Sequence, residues 1–316
     1  MSECDVLVVG GGAAGLSAAL VLSRARRRVV VVDAGEPRNA PAAHMHGYLS
    51  RDGVSPAEFL AAGRLEVQGY GGRVLRGRVT SIRPIADGFD VRLAEGPPMT
   101  ARRVLVATGL RDVLPEIAGV ADRWGRDLLH CPYCHGYEVR DQPLAALGGS
   151  AEAVQHAQLI RQWSPDVVLF PHTDRLTADA REQLTARAVG IVDGSVSRLV
   201  VEDDHLTGIE MEDGRVIRRS AAFVRPRFVP NTDLLTELGC AVDQEGWVTA
   251  DARGRTSVPG VRVIGNAADP RAQVITAAGA GSAVAIALNA ELVEEDVHHA
   301  VRDFRLGLPV LPSLIH

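Results

Sequence analysis

The chain has 316 residues, 46% of them hydrophobic, and a formal net charge of −5. That is enough apolar material for two cored domains, and the mild acidity gives no reason to expect a nucleic-acid or anionic-membrane partner. Cysteines number 4, too few for a disulfide scaffold, and lysine is absent, every basic residue being arginine, so Schiff-base, lysine-nucleophile and P-loop chemistry are excluded.

Asp5 to Val9 is an apolar run of strand length that enters Gly10-Gly11-Gly12-Ala13-Ala14-Gly15. Leu16 to Leu22 reads as a helix, and Arg28 to Asp33 as a second strand ending in an acid. Strand, GxGxxG, helix, strand and acid together form a dinucleotide fingerprint in its full context. Its glycines admit a pyrophosphate to the backbone and the helix N-terminus stabilises the charge. Asp33 is placed to accept hydrogen bonds from a ribose. Arg38 is either a phosphate or adenine contact or an exposed loop arginine. His44 and His46 have no third ligand nearby and make no metal site.

Ser55 to Arg64 is expected to be helical with Pro56 in its first turn. Arg73 to Ser81 and Gly88 to Leu93 read as a small meander, and Arg103 to Val106 as a buried strand ending at Ala107-Thr108-Gly109. Leu110 to Leu129 reads as a crossover between domains. Cys131-Pro132-Tyr133-Cys134 follows, flanked by His130 and His135. Such a pair is a redox dithiol, half of a zinc site or an inert pair. Zinc needs about four ligands, and no second CxxC exists, so the redox reading leads and no metal is expected. An adjacent imidazole suits a thiol that must lose a proton.

Pro143 to Ser150 opens a second strand-turn-helix unit. Gly148 stands where Gly10 stood, Ser150 where Gly12 stood, Ala153 where Gly15 stood and Pro171 where Asp33 stood. This copy is degraded as a dinucleotide site: a serine narrows the pyrophosphate approach, and Pro171 cannot hold a ribose. Ile191 to Val201, Leu206 to Met211 and Arg215 to Ile217 are expected as strands, with Ala222 to Phe228 returning. Gly265-Asn266 ends a further strand, and Gln273 opens a small-residue helix over 277–292. An apolar tail runs from Leu306 to Ile315. No apolar stretch reaches membrane-spanning length without a glycine or charge, and no leader pattern precedes the first strand, so a soluble, cytoplasmic protein is expected.

Taken in order, Gly10-x-Gly12-x-x-Gly15, Ala107-Thr108-Gly109, Cys131-x-x-Cys134, Gly265-Asn266 and Gln273 to Ala278 resemble the low-molecular-weight thioredoxin reductase family over nearly the whole chain. The resemblance implies an α/β fold of two Rossmann-like three-layer nucleotide-binding domains. A discontinuous FAD domain would take residues 1–113 and 245–316, and the CxxC domain, NAD(P)-like but degenerate, residues 114–244. It also implies a homodimer and FAD contacts from Gly10, Gly12, Ala13, Ala14, Gly15, Asp33, Arg38, Asn39, His46, Val79, Ala107, Thr108, Gly109, Asn266, Gln273, Val274 and Ile275. Cys134 would be the flavin-side thiol and Cys131 the exchanging one.

The departures are equally informative. The family's reductases have an intact second GxGxxA and a basic stretch for NADPH; this chain has Ser150 and Thr173-Asp174. Their redox motif is followed by an acid; this one is followed by His135. These features look like the dithiol oxidase branch, flavoenzymes that close disulfides in gliotoxin, holomycin and related metabolites. The activity implied is FAD-dependent oxidation of a small-molecule dithiol, with molecular oxygen as acceptor, hydrogen peroxide as product, and His135 or His130 as base. The alternative is an NADPH-dependent disulfide reductase.

Overall fold

The computed structural model describes residues 3–308; the expected apolar tail lies largely outside them. Two compact units are present. The first comprises residues 1–37, 60–110 and 230–316, the second 38–59 and 111–229.

The first unit opens with β1 (Cys4–Val9), α1 (Ala13–Arg24) and β2 (Val29–Asp33). Every residue of β1 is buried, as befits a parallel strand covered on both faces. Helix α2 (Pro56–Gly69) is longer than expected. A reciprocal cap starts it: the Ser55 hydroxyl accepts the Glu58 backbone N–H at 3.2 Å, and the Glu58 carboxylate accepts the Ser55 N–H at 3.4 Å. The expected meander is divided differently. Arg73–Arg76 is β3, which joins β2 in parallel; β4 (Val79–Ile85), β5 (Gly88–Leu93) and β6 (Met99–Val106) form the antiparallel part. The sheet order is β3-β2-β1-β6-β5-β4, and a late strand pairs with β6.

The short β7 (Leu110–Val113) leads into the second unit. There α3 (Val120–Arg123), β8 (Leu128–Leu129) and the single turn α4 (Pro132–His135) precede β9 (Leu144–Leu147), α5 (Ala151–Ile160) and β10 (Val167–Phe170). Then come α6 (Ala178–Ala186), β11 (Gly190–Ile191), β12 (Val196–Glu202), β13 (His205–Met211), β14 (Val216–Arg218) and β15 (Ala221–Val224). A parallel sheet runs β11-β10-β9-β15-β8, and β12 to β14 form an antiparallel sheet. The run expected as one strand over 191–201 is broken at Gly194, whose φ is +114°. The run 222–228 is likewise broken, so that Arg227–Pro230 is a separate strand, β16, paired with β7.

The chain returns to the first unit with α7 (Asp233–Glu237), β17 (Val261–Val263), which pairs with β6, and α8 (Val274–Arg305). Helix α8 outruns the expected 277–292 and takes in His298 and His299. By length and composition it is apolar enough to cross a membrane, a property that the glycine interruptions concealed in the sequence. Here its apolar face packs on α1: a Cβ at Gly281 would overlap the Ala14 carbonyl oxygen. Its acidic turn pairs with arginines of β6 and of the loop after α1. Glu295 meets Arg103 at 2.8 Å and Asp296 meets Arg27 at 2.7 Å.

The units divide the chain at 110/111 and 229/230 rather than at 113/114 and 244/245. Segment 230–244 packs in the first unit because Leu235 and Cys240 enter its core and Asn231 bonds Thr108. Segment 38–59 packs in the second through the bidentate Arg38–Asp112 pair, at 2.8 and 2.7 Å, and the approach of Gly125 to Pro41.

Candidate active site

In the first unit the fingerprint residues form one cradle. Gly10 has φ +105°, and a Cβ there or at Gly15 would strike backbone. Gly12 is different: its backbone is extended and an added Cβ would meet nothing within 4 Å. It caps α1 without a side-chain bond, and no acid lies in the first turn that begins with Ala13 and Ala14. Open space before uncapped N–H groups is what a pyrophosphate requires. The Gly11 N–H donates to the Asp33 carboxylate at 3.0 Å, which fixes the acid at the end of β2.

The same unit places Ala107, Thr108 and Gly109 beyond β6. Asn231, a partner that sequence reasoning missed, ties them down: the Thr108 hydroxyl donates to its carbonyl at 2.7 Å and its side-chain amide donates to the Thr108 carbonyl at 3.0 Å. The amide of Asn266 donates to the carbonyls of Asp269 and Ala272, at 2.9 and 3.0 Å, setting the loop before α8. Gln273 is the N-cap of α8, with Val274 and Ile275 its first residues. Val79 buries its side chain in the core cluster that includes Leu7, Val32 and Val91.

The second unit carries the redox pair. Cys131 and Cys134 are disulfide-bonded with Cα atoms 5.2 Å apart. Cys131 caps α4, and its carbonyl accepts the N–H groups of Cys134 and His135, each at 3.1 Å. Gly136 must be glycine, since a Cβ would press on the Pro132 carbonyl and the Trp163 ring. Tyr133, inside the motif, is exposed and sits edge-on to Trp163 at 5.5 Å. The other cysteines are buried and free. Burial pushes the Cys4 thiol up to about 12 and also raises that of Cys240, so neither forms a thiolate near neutrality.

The two candidate bases have different surroundings. His130 is enclosed: its Nδ1 lies 3.3 Å from the Val224 carbonyl, and its ring meets Phe228 edge-on at 5.2 Å and His156 at 5.8 Å. Burial lowers its proton affinity. His135 is also lowered by burial, but the Glu138 carboxylate opposes that shift. Its ring stands edge-on to His46 at 6.3 Å, and His46 lies between Asp52 at 3.3 Å and Glu138 at 3.5 Å. Glu138, Asp52 and His156 were not legible as site residues; the acids sit in loops with no motif, and His156 is a helix residue of α5 that reaches His130 only through the fold.

Arg38, Asn39 and His46 belong to the second unit. Arg38 gives its Nε and Nη2 to Asp112 and stacks on Phe228 at 5.0 Å. Asn39 is half-buried, its carbonyl accepting the Ala42 N–H at 3.1 Å. Among the described residues no group of three or more His, Cys, Asp or Glu is placed to hold a metal ion.

The second fingerprint has kept its backbone and changed its chemistry. Gly148 repeats the conformation of Gly10 at φ +110°. At the start of α5, however, the Ser150 hydroxyl accepts the Ala153 N–H at 3.2 Å and donates to the Glu152 carboxylate at 2.9 Å. The helix is therefore capped by its own side chain and carries an acid in its first turn. Asp174, not Pro171, takes the place of Asp33: its carboxylate accepts the Gly149 N–H at 2.8 Å.

The model of the pyridine nucleotide-disulphide oxidoreductase family matches residues 4–282. The chain belongs to that family. It is similar to thioredoxin reductase sirT of Leptosphaeria maculans, 32% identical over 93% of this chain and 95% of that protein. Thioredoxin reductase tcpT of Claviceps purpurea is 39% identical over a shorter stretch, 46% of this chain and 45% of that one. Among solved structures, HlmI superposes with a TM-score of 0.92 at 58% identity, covering 96% of each chain. The putative thioredoxin reductase TrxB of Bacillus anthracis superposes with 0.89 at 31% identity, covering 93% of this chain and all of that one. This pyridine nucleotide-disulphide oxidoreductase is thus a thioredoxin reductase-like, FAD-binding oxidoreductase with the two-domain α/β fold. The Gly10–Gly15 cradle, open at Gly12, fits the FAD pyrophosphate.

Proposed function

We propose that this enzyme is a dithiol oxidase that closes an intramolecular disulfide in a small-molecule natural product. The observation that carries the reading is the contrast between the two helix starts. Helix α1 offers bare N–H groups and open space; α5 presents its own cap and the Glu152 carboxylate. A nicotinamide dinucleotide is disfavoured at the second, so the reducing electrons come from a dithiol.

The chain's residues then act as follows. A substrate thiolate attacks Cys131 Sγ, forming a mixed disulfide and releasing Cys134 as a thiolate. The second substrate thiolate attacks the bound substrate sulfur, forming the cyclic disulfide and expelling Cys131. Two electrons have passed to the cysteine pair, and the two thiol protons leave through an imidazole. Of the two candidates, His135 is the stronger, because a carboxylate supports its charged form and His130 is closed in by Phe228 and His156. FAD, when bound, supplies the two-electron acceptor that restores the disulfide, with oxygen as terminal acceptor and hydrogen peroxide as product. The site assignments carried over from the family resemblance, with Cys134 on the flavin side, form part of this reading, as do a cytoplasmic location and a homodimer. A stripe of exposed apolar residues on α8, including Ile286, Val293, Val297 and Phe304, supports self-association, which sedimentation tests.

The deciding experiment is anaerobic titration of the yellow protein with small dithiols and with NADPH, followed by oxygen uptake in air. Dithiol-driven bleaching and peroxide release are expected. Cys131→Ser and Cys134→Ser should each abolish turnover with FAD retained, and only Cys131→Ser should show a long-wavelength charge-transfer band. The second reading, an NAD(P)H-dependent disulfide reductase, is favoured by one observation, the retained Gly149–Asp174 bond. Rapid bleaching by NADPH or NADH would establish it instead.

A further inference from the structure

His46 reaches its place through a tightly held loop. Met45 is buried, its N–H donates to the Val54 carbonyl at 3.0 Å, and its carbonyl accepts the Gly53 N–H at 2.9 Å. The Gly47 N–H donates to Asp52 at 2.8 Å. That bond, followed by the contact with His46, holds the Asp52 carboxyl below its ordinary range. The two ring nitrogens of His46 thus face two carboxylates, Asp52 at 3.3 Å and Glu138 at 3.5 Å. A doubly protonated ring donates to both. The opposite flank of the cluster is His135, edge-on to His46 with centroids 6.3 Å apart. His135 directly follows Cys134, and Glu138 lies three residues further along the same turn. All of these residues belong to the second unit.

We propose that Glu138 is a positioning residue of the reaction: anchored by His46, its carboxylate stabilises the imidazolium of His135 as the substrate thiol gives up its proton. The inference rests on the functional reading above, in which His135 accepts that proton. The balance is simple. The thiol S–H bond breaks, an N–H bond forms on His135, the sulfur keeps the electron pair, and the proton is later released to water. Burial works against the charged ring, and so does a protonated His46; the Glu138 carboxylate is the group that offsets both. Asp52 acts one step removed, holding His46 so that Glu138 stays aimed.

The test uses the oxidised holoenzyme with histidines labelled at the ring Cε1, the His135 signal being assigned from its loss in His135→Gln. Glu138→Gln should lower the His135 titration midpoint by about half a pH unit, and the acid limb of kcat/KM for dithiol oxidation should move down with it. Glu138→Asp should restore part of the shift. Raised salt should shrink the shift. An unshifted midpoint in Glu138→Gln, with wild-type dithiol turnover intact, overturns the role of Glu138 alone. A wild-type protein that consumes no dithiol overturns the functional reading instead, and is told apart because the Glu138→Gln midpoint still moves.

Discussion

Asp174 accepts a hydrogen bond from the Gly149 backbone N–H at 2.8 Å. In the first unit Asp33 does the same for Gly11 at 3.0 Å. The two nucleotide-type turns are thus built alike, and their difference lies at the helix that follows. Arg161, a conceivable source of positive charge, is committed to the carbonyls of Arg187 and Ser164 at 3.1 Å each. We expect NADPH to bleach the flavin slowly or not at all. Asp174 repels a 2′-phosphate, so NADH should be disfavoured less than NADPH. The double variant Ser150→Gly with Glu152→Gln, which uncaps α5 and removes its acid, should raise the rate with NADH under anaerobic stopped-flow. An unchanged rate in that variant would place the block elsewhere.

Gly12→Val should fold and fail to bind FAD. Its backbone is extended and a new side chain meets no protein atom, but it fills the pyrophosphate space. Gly15→Ala should instead lower stability, because its Cβ overlaps the Gly10 carbonyl. Circular dichroism and the FAD content of purified protein separate the two: colourless and folded at 12, poorly folded at 15.

His156 makes stability depend on pH. Burial, then its neighbour His130, lowers this imidazole to about 4, whereas a histidine in an unfolded chain titrates near 6.5. Between these values the unfolded chain binds more protons, so the folded state loses stability as pH falls, by on the order of 3 kcal/mol in all. Its Nε2 has no hydrogen-bond partner. His156→Leu should flatten the dependence of Tm on pH between 7 and 4. A slope equal to that of wild type would show that another group carries it.

Asn266→Asp should destabilise the approach to α8. A carboxylate cannot donate to the two carbonyls that the amide now holds, which are exposed and half-buried, so each lost bond costs roughly 0.5–1.5 kcal/mol. In this loop the exchange removes both donors. Thermal unfolding with FAD bound reads the effect.

The nucleotide cradle, the redox pair and the αβ order were legible because glycine turns, apolar runs and CxxC spacing are local signals. What the sequence hid is mostly non-local. Alignment by position put Pro171 where Asp33 stood, but the chain makes an extra turn and Asp174 swings back to Gly149. Gly194 and Pro226 cut apparent single strands in two, since apolar composition continues across a backbone bend. Arg38 read equally as a phosphate or adenine contact or as an exposed loop arginine, because its partner Asp112 lies 74 residues away. Helix α8 runs past Leu292 into an acidic stretch, where Glu295 and Asp296 meet Arg102 and Arg103 of strand β6 and Arg27 of the loop after α1.

The contact of Gly281 with Ala14 sets an order of events during synthesis. The cradle around Gly12 is made before the second unit, and its covering helix after it. The second unit is complete once Val229 has left the ribosome, and domains fold as units when they emerge. A nascent chain stopped near residue 270 should therefore hold a protease-resistant second unit beside a first unit still open, with no flavin retained. Only once α8 has been made can it come onto α1, so flavin loading follows the completion of the second unit.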